Sequence, residues 1–216
     1  MTTRRAQRHL TTRREILDAA WELARTRGLT GWSLRDLGAA VRMQPPSLYV
    51  YFASKDAIYD ALFADGYQQM LAQSQAWAEQ DMAPVDKVRG AAHRFFEFAV
   101  SDPARMQLLF QRVIPGFVPS AESFALARRV LDGFEAVLVE AGITDLGAAD
   151  LWTALLTGLV NQQVSNDPGG NRWASLVDGA VDMFLAHALS ASTTTQRSAR
   201  PVKRPLPDSA PVTYRP

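Results

Sequence analysis

Residues 33–55 of this 216-residue chain read SLRDLGAAVRMQPPSLYVYFASK, and this stretch decides the fold. Ser33 and Asp36 form an S-x-x-D variant of the capping box, which predicts a helix that Ser33 caps. The apolar residues of this helix recur at i, i+3 and i+7: Leu34, Leu37 and Val41. That spacing gives the helix one buried face and leaves its other faces outward.

A second short helix is predicted after a tight turn at residues 42–43. Pro45 and Pro46 favour its first turn, because a fixed φ is accepted there and the missing N–H donors would have no helical partner anyway. Leu48 and Phe52, four residues apart, attach this helix to the rest of the domain. Two short helices around a tight turn, with the second polar and rich in aromatic residues, have the spacing of a helix-turn-helix DNA reader.

The run LYVYFASK at residues 48–55, preceded by the S-x-R-D-L start of the first helix, resembles the N-terminal domain of TetR-family transcriptional regulators. The resemblance covers about residues 12–62. It implies an all-α homodimer that binds palindromic operators and usually releases them when a small molecule binds. It also implies contacts to DNA phosphates from Ser33, Ser47, Tyr49, Tyr51 and Lys55. The implied contacts to base edges come from Arg35, Gln44, Pro45, Pro46 and Val50.

Two positions depart from the family pattern. The family usually has glycine in the turn where this chain has Arg42, and a small polar residue where it has Gln44. If the turn requires φ > 0 at Arg42, a side chain there costs about 1 kcal/mol relative to glycine. The turn is therefore the part of the motif whose geometry differs most from the family expectation.

The residues that point outward also have chemistry suited to DNA. Arg35 can donate two hydrogen bonds to guanine O6 and N7, and Gln44 can pair with adenine. The two prolines and Val50 offer apolar surface to thymine methyl groups. These side chains can therefore distinguish bases in a major groove.

The candidates for phosphate contacts have a second interpretation. Tyr49 and Tyr51 are either phosphate ligands or half-buried packing residues whose hydroxyls contact water. Lys55 by itself is typical of a solvated surface charge. Its place at the start of the next helix, which Ser54 caps, favours phosphate binding because helix N-termini attract anions.

Charge is unevenly distributed along the chain, although the formal net charge is only +1. Residues 1–60 contain ten Lys and Arg against six Asp and Glu, which gives +4. Residues 61–190 contain eight against fifteen, or −7, and residues 191–216 contain five against one, or +4. A basic N-terminal part on an acidic body is typical of a protein that presents one end to a polyanion.

Composition and motifs argue against an enzyme and against a membrane protein. There is no cysteine, which excludes disulfides, thiolate metal sites and a cysteine nucleophile. The three histidines have no metal-binding spacing, and no G-x-S-x-G, P-loop or G-x-G-x-x-G motif occurs. No apolar run reaches 18 residues, and the Arg-rich N-terminus lacks the apolar region of a signal peptide. We therefore expect a cytoplasmic protein that contacts no membrane and is not an enzyme, with no cofactor and no metal ion.

The chain is predicted to be all-α and to have four segments. Residues 1–11 have few apolar partners and are predicted to form a flexible basic arm that either enters a minor groove or stays solvated. Residues 12–60 are the three-helix helix-turn-helix domain, and residues 61–190 are a helical ligand-binding and dimerisation domain. Residues 191–216, rich in Pro, Ser, Thr and Arg, are expected to be disordered.

Two helices with wide apolar faces are predicted near the end of this second domain, over residues 146–166 and 171–190. Such a pair suggests a four-helix bundle that a second subunit completes. The candidate interface residues are Trp173, Leu176, Val177, Ala180, Val181 and Phe184. The alternative is that the same apolar stripe packs inside one subunit.

The resemblance also implies a ligand pocket in the second domain, and the chain has large side chains to line it. The candidates are Trp77, Phe95, Phe98, Met106, Phe110, Phe117 and Trp152. Each is alternatively an ordinary core residue. The predicted function is a repressor that a small apolar effector of unknown identity releases from an inverted-repeat operator on double-stranded DNA. The alternative is a DNA-binding activator without an effector, or a regulator that acts through a protein partner.

Overall fold

The computed structural model describes residues 4–78, 81–145 and 147–198. These residues form nine α-helices and one short 3-10 helix, with no strand among them, which confirms the all-α prediction. The helices are α1 (Arg4–Arg27), α2 (Leu34–Ala40), α3 (Pro45–Leu48), α4 (Lys55–Ala78), α5 (Pro84–Val100), α6 (Pro103–Phe110), α7 (Ala121–Glu140), α8 (Ala148–Asn166) and α9 (Val177–Ser198). The 3-10 helix, Ala174–Leu176, directly precedes α9.

The N-terminal helices pack around one apolar core. Ile16 of α1, Leu37 of α2, Leu48 of α3 and Ile58 of α4 are each at most 1% exposed. The predicted stripe of α2 therefore does face inward, and a single leucine anchors the four-residue α3. Burying each such side chain stabilises the fold by about 1.5–3 kcal/mol. These contacts fix α2 and α3 against the two longer helices.

The remaining helices form a second core around α5. Val88 and Ala92 of α5 are fully buried, and they pack in one cluster with Leu156 and Val160 of α8 and Val181 of α9. The sequence predicts that α5 is apolar on nearly every face, and its neighbours α7, α8 and α9 account for that composition.

The N-terminal segment differs from the prediction. The flexible arm expected over residues 1–11 is helical from Arg4 onward and continues α1 without a break. Two causes favour the helix: Arg, Ala and Gln are good helix formers, and His9 stacks on Tyr51 with ring centroids 4.8 Å apart. Thr12, the first residue of the predicted helix-turn-helix domain, therefore lies in the interior of α1. Of the segment, residues 1–3 lie outside the described residues.

The last helix corrects two further expectations. It continues through Ser198, so the first eight residues of the expected disordered tail are helical, and residues 199–216 lie outside the described residues. Val177, Ala180, Val181 and Phe184, predicted as dimer contacts, are at most 9% exposed within one chain. Val177, Val181 and Phe184 pack in the core around α5 within one chain, as the intrachain alternative describes.

Candidate DNA-binding surface and ligand cavity

The start of α2 carries the predicted capping box. The Asp36 backbone N–H donates to the Ser33 hydroxyl oxygen at 3.2 Å, and the Ser33 backbone N–H donates to the Asp36 carboxylate at 2.8 Å. The Ser33 hydroxyl also donates to this carboxylate. These two Ser33 bonds, followed by the Arg27 guanidinium, lower the pKa of Asp36 to about 2. The Ser33 hydroxyl, a predicted phosphate ligand, is thus already engaged with Asp36.

The turn after α2 has the backbone geometry that the sequence suggested. Arg42 has φ = 56°, in the left-handed region, which confirms the expected strain at this position. The Met43 N–H donates to the Gly38 carbonyl at 2.8 Å and folds the chain back over the helix. A Cβ at Gly38 would lie 2.6 Å from the Met43 carbonyl oxygen, so this close approach requires glycine. The sequence reasoning missed Gly38, although a glycine inside a short helix is itself a signal of close packing.

The predicted base-reading side chains are mostly open to solvent. Arg35, Gln44, Pro46 and Val50 are exposed, Val50 to 70% of its surface, while Pro45 is half-buried. No hydrogen bond, ion pair or ring contact within the described chain engages the side chains of this surface. A surface of this kind is available to an external partner.

The predicted phosphate ligands fall into two environments. Ser47 and Tyr49 are exposed, Tyr49 to 54%, and are free to meet a ligand. Tyr51 is half-buried and stacks on His9 at an interplanar angle of 23°. The half-buried ring agrees with the packing interpretation of Tyr51, and its contact with a phosphate stays a prediction.

Lys55 is held back against the domain instead of projecting freely. Its ammonium donates to the Trp32 carbonyl at 2.5 Å and lies 4.3 Å from the centroid of the Trp32 ring. Partial burial lowers the pKa of Lys55, while Asp56 and Asp36 act in the opposite direction. The Ser54 hydroxyl accepts from the Ala57 N–H at 3.0 Å and so caps α4 as predicted. An ammonium has three donors, so two remain for an anion at this helix start.

Comparison with known proteins identifies this domain. The family model described as "Bacterial regulatory proteins, tetR family" matches residues 16–62, the segment that contains α2, α3 and the turn between them. This N-terminal domain matches the TetR family. The HTH-type transcriptional regulator Rv1816 of Mycobacterium tuberculosis is 27% identical over 132 residues, which cover 56% of this chain and 50% of the relative. The match thus spans half the length of that curated relative.

Solved structures have the same fold over most of this chain. The regulatory protein SCO4313 superposes with a TM-score of 0.73 at 24% identity, covering 85% of this chain and all of the other. AibR, solved in complex with isovaleryl coenzyme A and operator DNA, superposes with a TM-score of 0.63 at 20% identity, covering 80% and 97%. These likenesses extend the shared fold from the DNA-binding domain into the helices that follow it.

The second domain has a cavity of about 840 Å³ between α4, α5, α7 and α8, which is partly open to solvent. That volume lies in the range of sites for small molecules. Five of the predicted pocket residues line it: Trp77, Phe95, Phe98, Phe110 and Trp152. The cavity also has polar wall residues that the sequence reasoning did not select: Gln73, Ser74, Arg94, Asp150 and Thr153.

Two predicted pocket residues lie elsewhere. Met106 is buried in the core around α5, where the Gln111 amide contacts its sulfur at 3.7 Å. Phe117 packs edge-on against Tyr59 of α4, with ring centroids 5.7 Å apart, in the core of the N-terminal helices. Both residues pack in a core and not in the cavity wall. Apolar spacing on a helix predicts that a side chain is buried, but it does not predict whether that side chain faces a core or a cavity.

A polar cluster joins the DNA-binding domain to the second domain. The buried carboxylate of Asp65 on α4 accepts hydrogen bonds from Arg14 at 2.5 Å, from the Trp21 indole N–H at 2.9 Å and from Gln69 at 2.8 Å. The Gln69 carbonyl oxygen accepts from Arg105 of α6 at 2.8 Å. The cluster therefore links α1, α4 and α6 and holds the two domains in one arrangement.

No helix in the described parts of the chain is long and apolar enough to cross a membrane. A search of the same residues finds no group of three or more His, Cys, Asp or Glu side chains positioned to hold a metal ion.

Proposed function

We propose that this chain is a DNA-binding transcriptional regulator, specifically a homodimeric repressor that leaves an inverted-repeat operator when a small apolar ligand enters the cavity. The exposed surface of α2 and α3 carries this proposal. Arg35, Gln44, Pro46 and Val50 are open to solvent, and neither Arg35 nor Gln44 makes a side-chain hydrogen bond or ion pair within the described residues. The family relation supports the same assignment.

The cavity supports control by a small molecule. Aromatic and aliphatic side chains form most of its wall, and α4 contributes to it while also starting beside the DNA-binding helices. A displacement of α4 by a ligand therefore reaches the DNA-binding domain directly. AibR, which has the same fold, was solved with an acyl coenzyme A and operator DNA, and this agrees with an acyl ligand for the present cavity.

Homodimerisation is proposed through the outward faces of α8 and α9. Leu151 of α8 is 43% exposed, and Leu176 and Met183 beside and on α9 are 47% and 73% exposed. Gly158 and Gly179 have open space above them, which lets another helix approach closely. Leu176 is retained from the interface predicted by sequence, and Trp173, half-buried, borders it.

Selection of bound duplexes from a random DNA pool tests the DNA-binding part of the proposal. We expect the wild-type protein to recover an inverted repeat, with two reader helices meeting major grooves about 34–36 Å apart or a multiple of that. Arg35→Ala should lose preference at one base pair per half-site and retain the rest. Tyr49→Phe is the matched variant for a phosphate contact and should lower the affinity for all DNA sequences by the same factor. Recovery of no motif, or an equal loss for every sequence with Arg35→Ala, would contradict the assignment.

A further inference from the structure

Among the described residues, the wall of the cavity contains a half-buried cation, Arg94, that has no counter-ion within this part of the chain. Of the three arginines that line the cavity, Arg128 pairs with Asp132 at 3.6 Å and Arg129 is exposed. Arg94 on α5 is half-buried, and no carboxylate in the described ranges lies within 4.0 Å of its guanidinium. Placing an unpaired charge in a partly apolar site costs free energy, so its retention points to a partner that arrives from outside.

The guanidinium of Arg94 is held in place by an aromatic ring. It lies 4.2 Å from the centroid of the Trp77 ring, a cation–π distance. The Trp77 indole N–H donates to the Lys87 carbonyl at 3.2 Å, which fixes the ring across α5. Gly90 leaves room for this, because a Cβ there would lie 1.9 Å from the Trp77 ring. Arg94 is therefore positioned while its five N–H donors make no hydrogen bond to any part of the chain that the structure describes.

Arg94 also marks a boundary between an apolar and a polar space. A second cavity of about 430 Å³ shares Gln73, Arg94 and Phe98 with the first, and its remaining wall residues are Glu97 and Ser101. Glu97 is exposed and does not pair with Arg94. A molecule that extends from the apolar cavity past Arg94 would thus pass from an apolar wall to a hydrated, polar one.

We propose that the ligand of this cavity is an apolar chain that ends in an anionic group, and that Arg94 binds the anion. The proposal rests on the proposed ligand-binding function and names its chemical class. A planar guanidinium binds a carboxylate or a phosphate through two parallel N–H donors. The carboxylate of a free fatty acid and the phosphates of its coenzyme A thioester share this chemistry, and the experiment separates the two sources.

Binding is measured by calorimetry on the full chain without DNA, with three probes of one chain length: decanoate, decanoyl coenzyme A and methyl decanoate. The ester keeps the apolar chain and lacks the charge. We expect at least one anionic probe to bind about tenfold more tightly than the ester. This is a small gain in affinity for a charge-assisted contact, because solvent screens the half-buried Arg94. Preference for decanoate alone identifies a free acid, and preference for the thioester alone identifies the phosphates.

Three variants assign the preference to Arg94. Arg94→Gln should lower the affinity for the anion about tenfold and leave that for the ester unchanged. Arg94→Lys keeps the charge but lacks the two parallel donors, so it should retain only part of the preference. Arg112→Gln removes an exposed charge outside the cavity wall and should change nothing. Equal weakening of anion and ester by Arg94→Gln would show that the Arg94–Trp77 contact is only structural and would overturn the proposal.

The failures of the two proposals are distinguishable. If wild type binds the ester and the anions equally, the cavity takes apolar ligands but Arg94 is not an anion site. If none of the three probes binds, both the ligand class and the effector part of the proposed function are wrong. Operator selection, which needs no ligand, is unaffected by either outcome.

Discussion

Replacing Arg42 by glycine is expected to stabilise the protein, because α2 ends in a motif whose key residue has a left-handed backbone. The Met43 N–H donates to the Gly38 carbonyl, and the Arg42 N–H donates to the Ala39 carbonyl at 3.3 Å, which together form a Schellman motif. The same pair of hydrogen bonds closes α7, where the left-handed residue is Gly142 with φ = 80°. One chain thus contains the motif both with and without glycine.

The magnitude follows from two opposing terms. An L side chain in the left-handed region costs about 1–2 kcal/mol, and glycine gives back about 0.5–1 kcal/mol through its greater freedom in the unfolded chain. The Arg42 side chain is exposed and makes no hydrogen bond, ion pair or ring contact within the described ranges, so its removal loses no polar interaction of the folded state. We expect a net gain of about 0.5–1 kcal/mol and a rise in melting temperature of about 1–4 °C.

The assay is reversible unfolding by denaturant and by heat, with two matched variants. Arg42→Ala removes the charge and keeps the strain, so it should melt close to wild type. Gly142→Ala introduces the strain into α7, where the space around the new Cβ is open, and should destabilise the fold by about 1 kcal/mol. If Arg42→Gly is no more stable than Arg42→Ala, the reasoning from the left-handed turn is wrong.

Three other perturbations test the DNA-binding domain and the proposed dimer interface. Gly38→Ala should destabilise the fold by about 1–3 kcal/mol, because the new Cβ would meet the backbone of Met43. Gly133→Ala, at an exposed position inside α7 with open space around it, should stabilise the fold by about 0.5–1 kcal/mol. Thermal unfolding measures both changes. The pKa of Asp36 is lower in the folded than in the unfolded state, so its carboxylate stabilises the fold fully above about pH 4. This contribution disappears towards pH 2, where the melting temperatures of wild type and Asp36→Asn should converge. Met183→Glu should give monomers in sedimentation and weaken operator binding, whereas Val139→Glu, at an exposed apolar site on α7, should do neither. If Met183→Glu remains a dimer, the proposed interface on α8 and α9 is wrong.

Features set by neighbouring residues could be predicted from the sequence. The cap of α2 depends only on Ser33 and Asp36, and the strain at Arg42 follows from a tight turn that lacks glycine. The start of α4 at Lys55, after a Ser54 cap, is equally local. In each case the deciding atoms are within five residues of one another, so the sequence contains the whole interaction.

Features set by distant contacts could not be predicted. The residues before Thr12 look unstructured because they have few apolar side chains, but His9 finds Tyr51 more than forty positions away. The stripe of α9 indicates burial correctly, yet nothing in its spacing says whether Val181 and Phe184 pack on α5 or on a second subunit. Arg94 resembles any surface arginine until the fold places Trp77 beside it.

One residue belongs both to the cavity and to the link between the domains. Phe98 lines the cavity, and the Arg105 guanidinium lies 3.7 Å from the centroid of its ring while donating to the Phe98 carbonyl at 2.7 Å. Arg105 in turn donates to Gln69, whose partner Asp65 holds α1. A ligand that moves Phe98 must therefore either break the Arg105 contacts or carry Arg105 with it. Either change acts on the polar cluster around Asp65, which links the DNA-binding helices to the second domain. The proposed release of DNA therefore requires no contact between the ligand and helices α2 and α3.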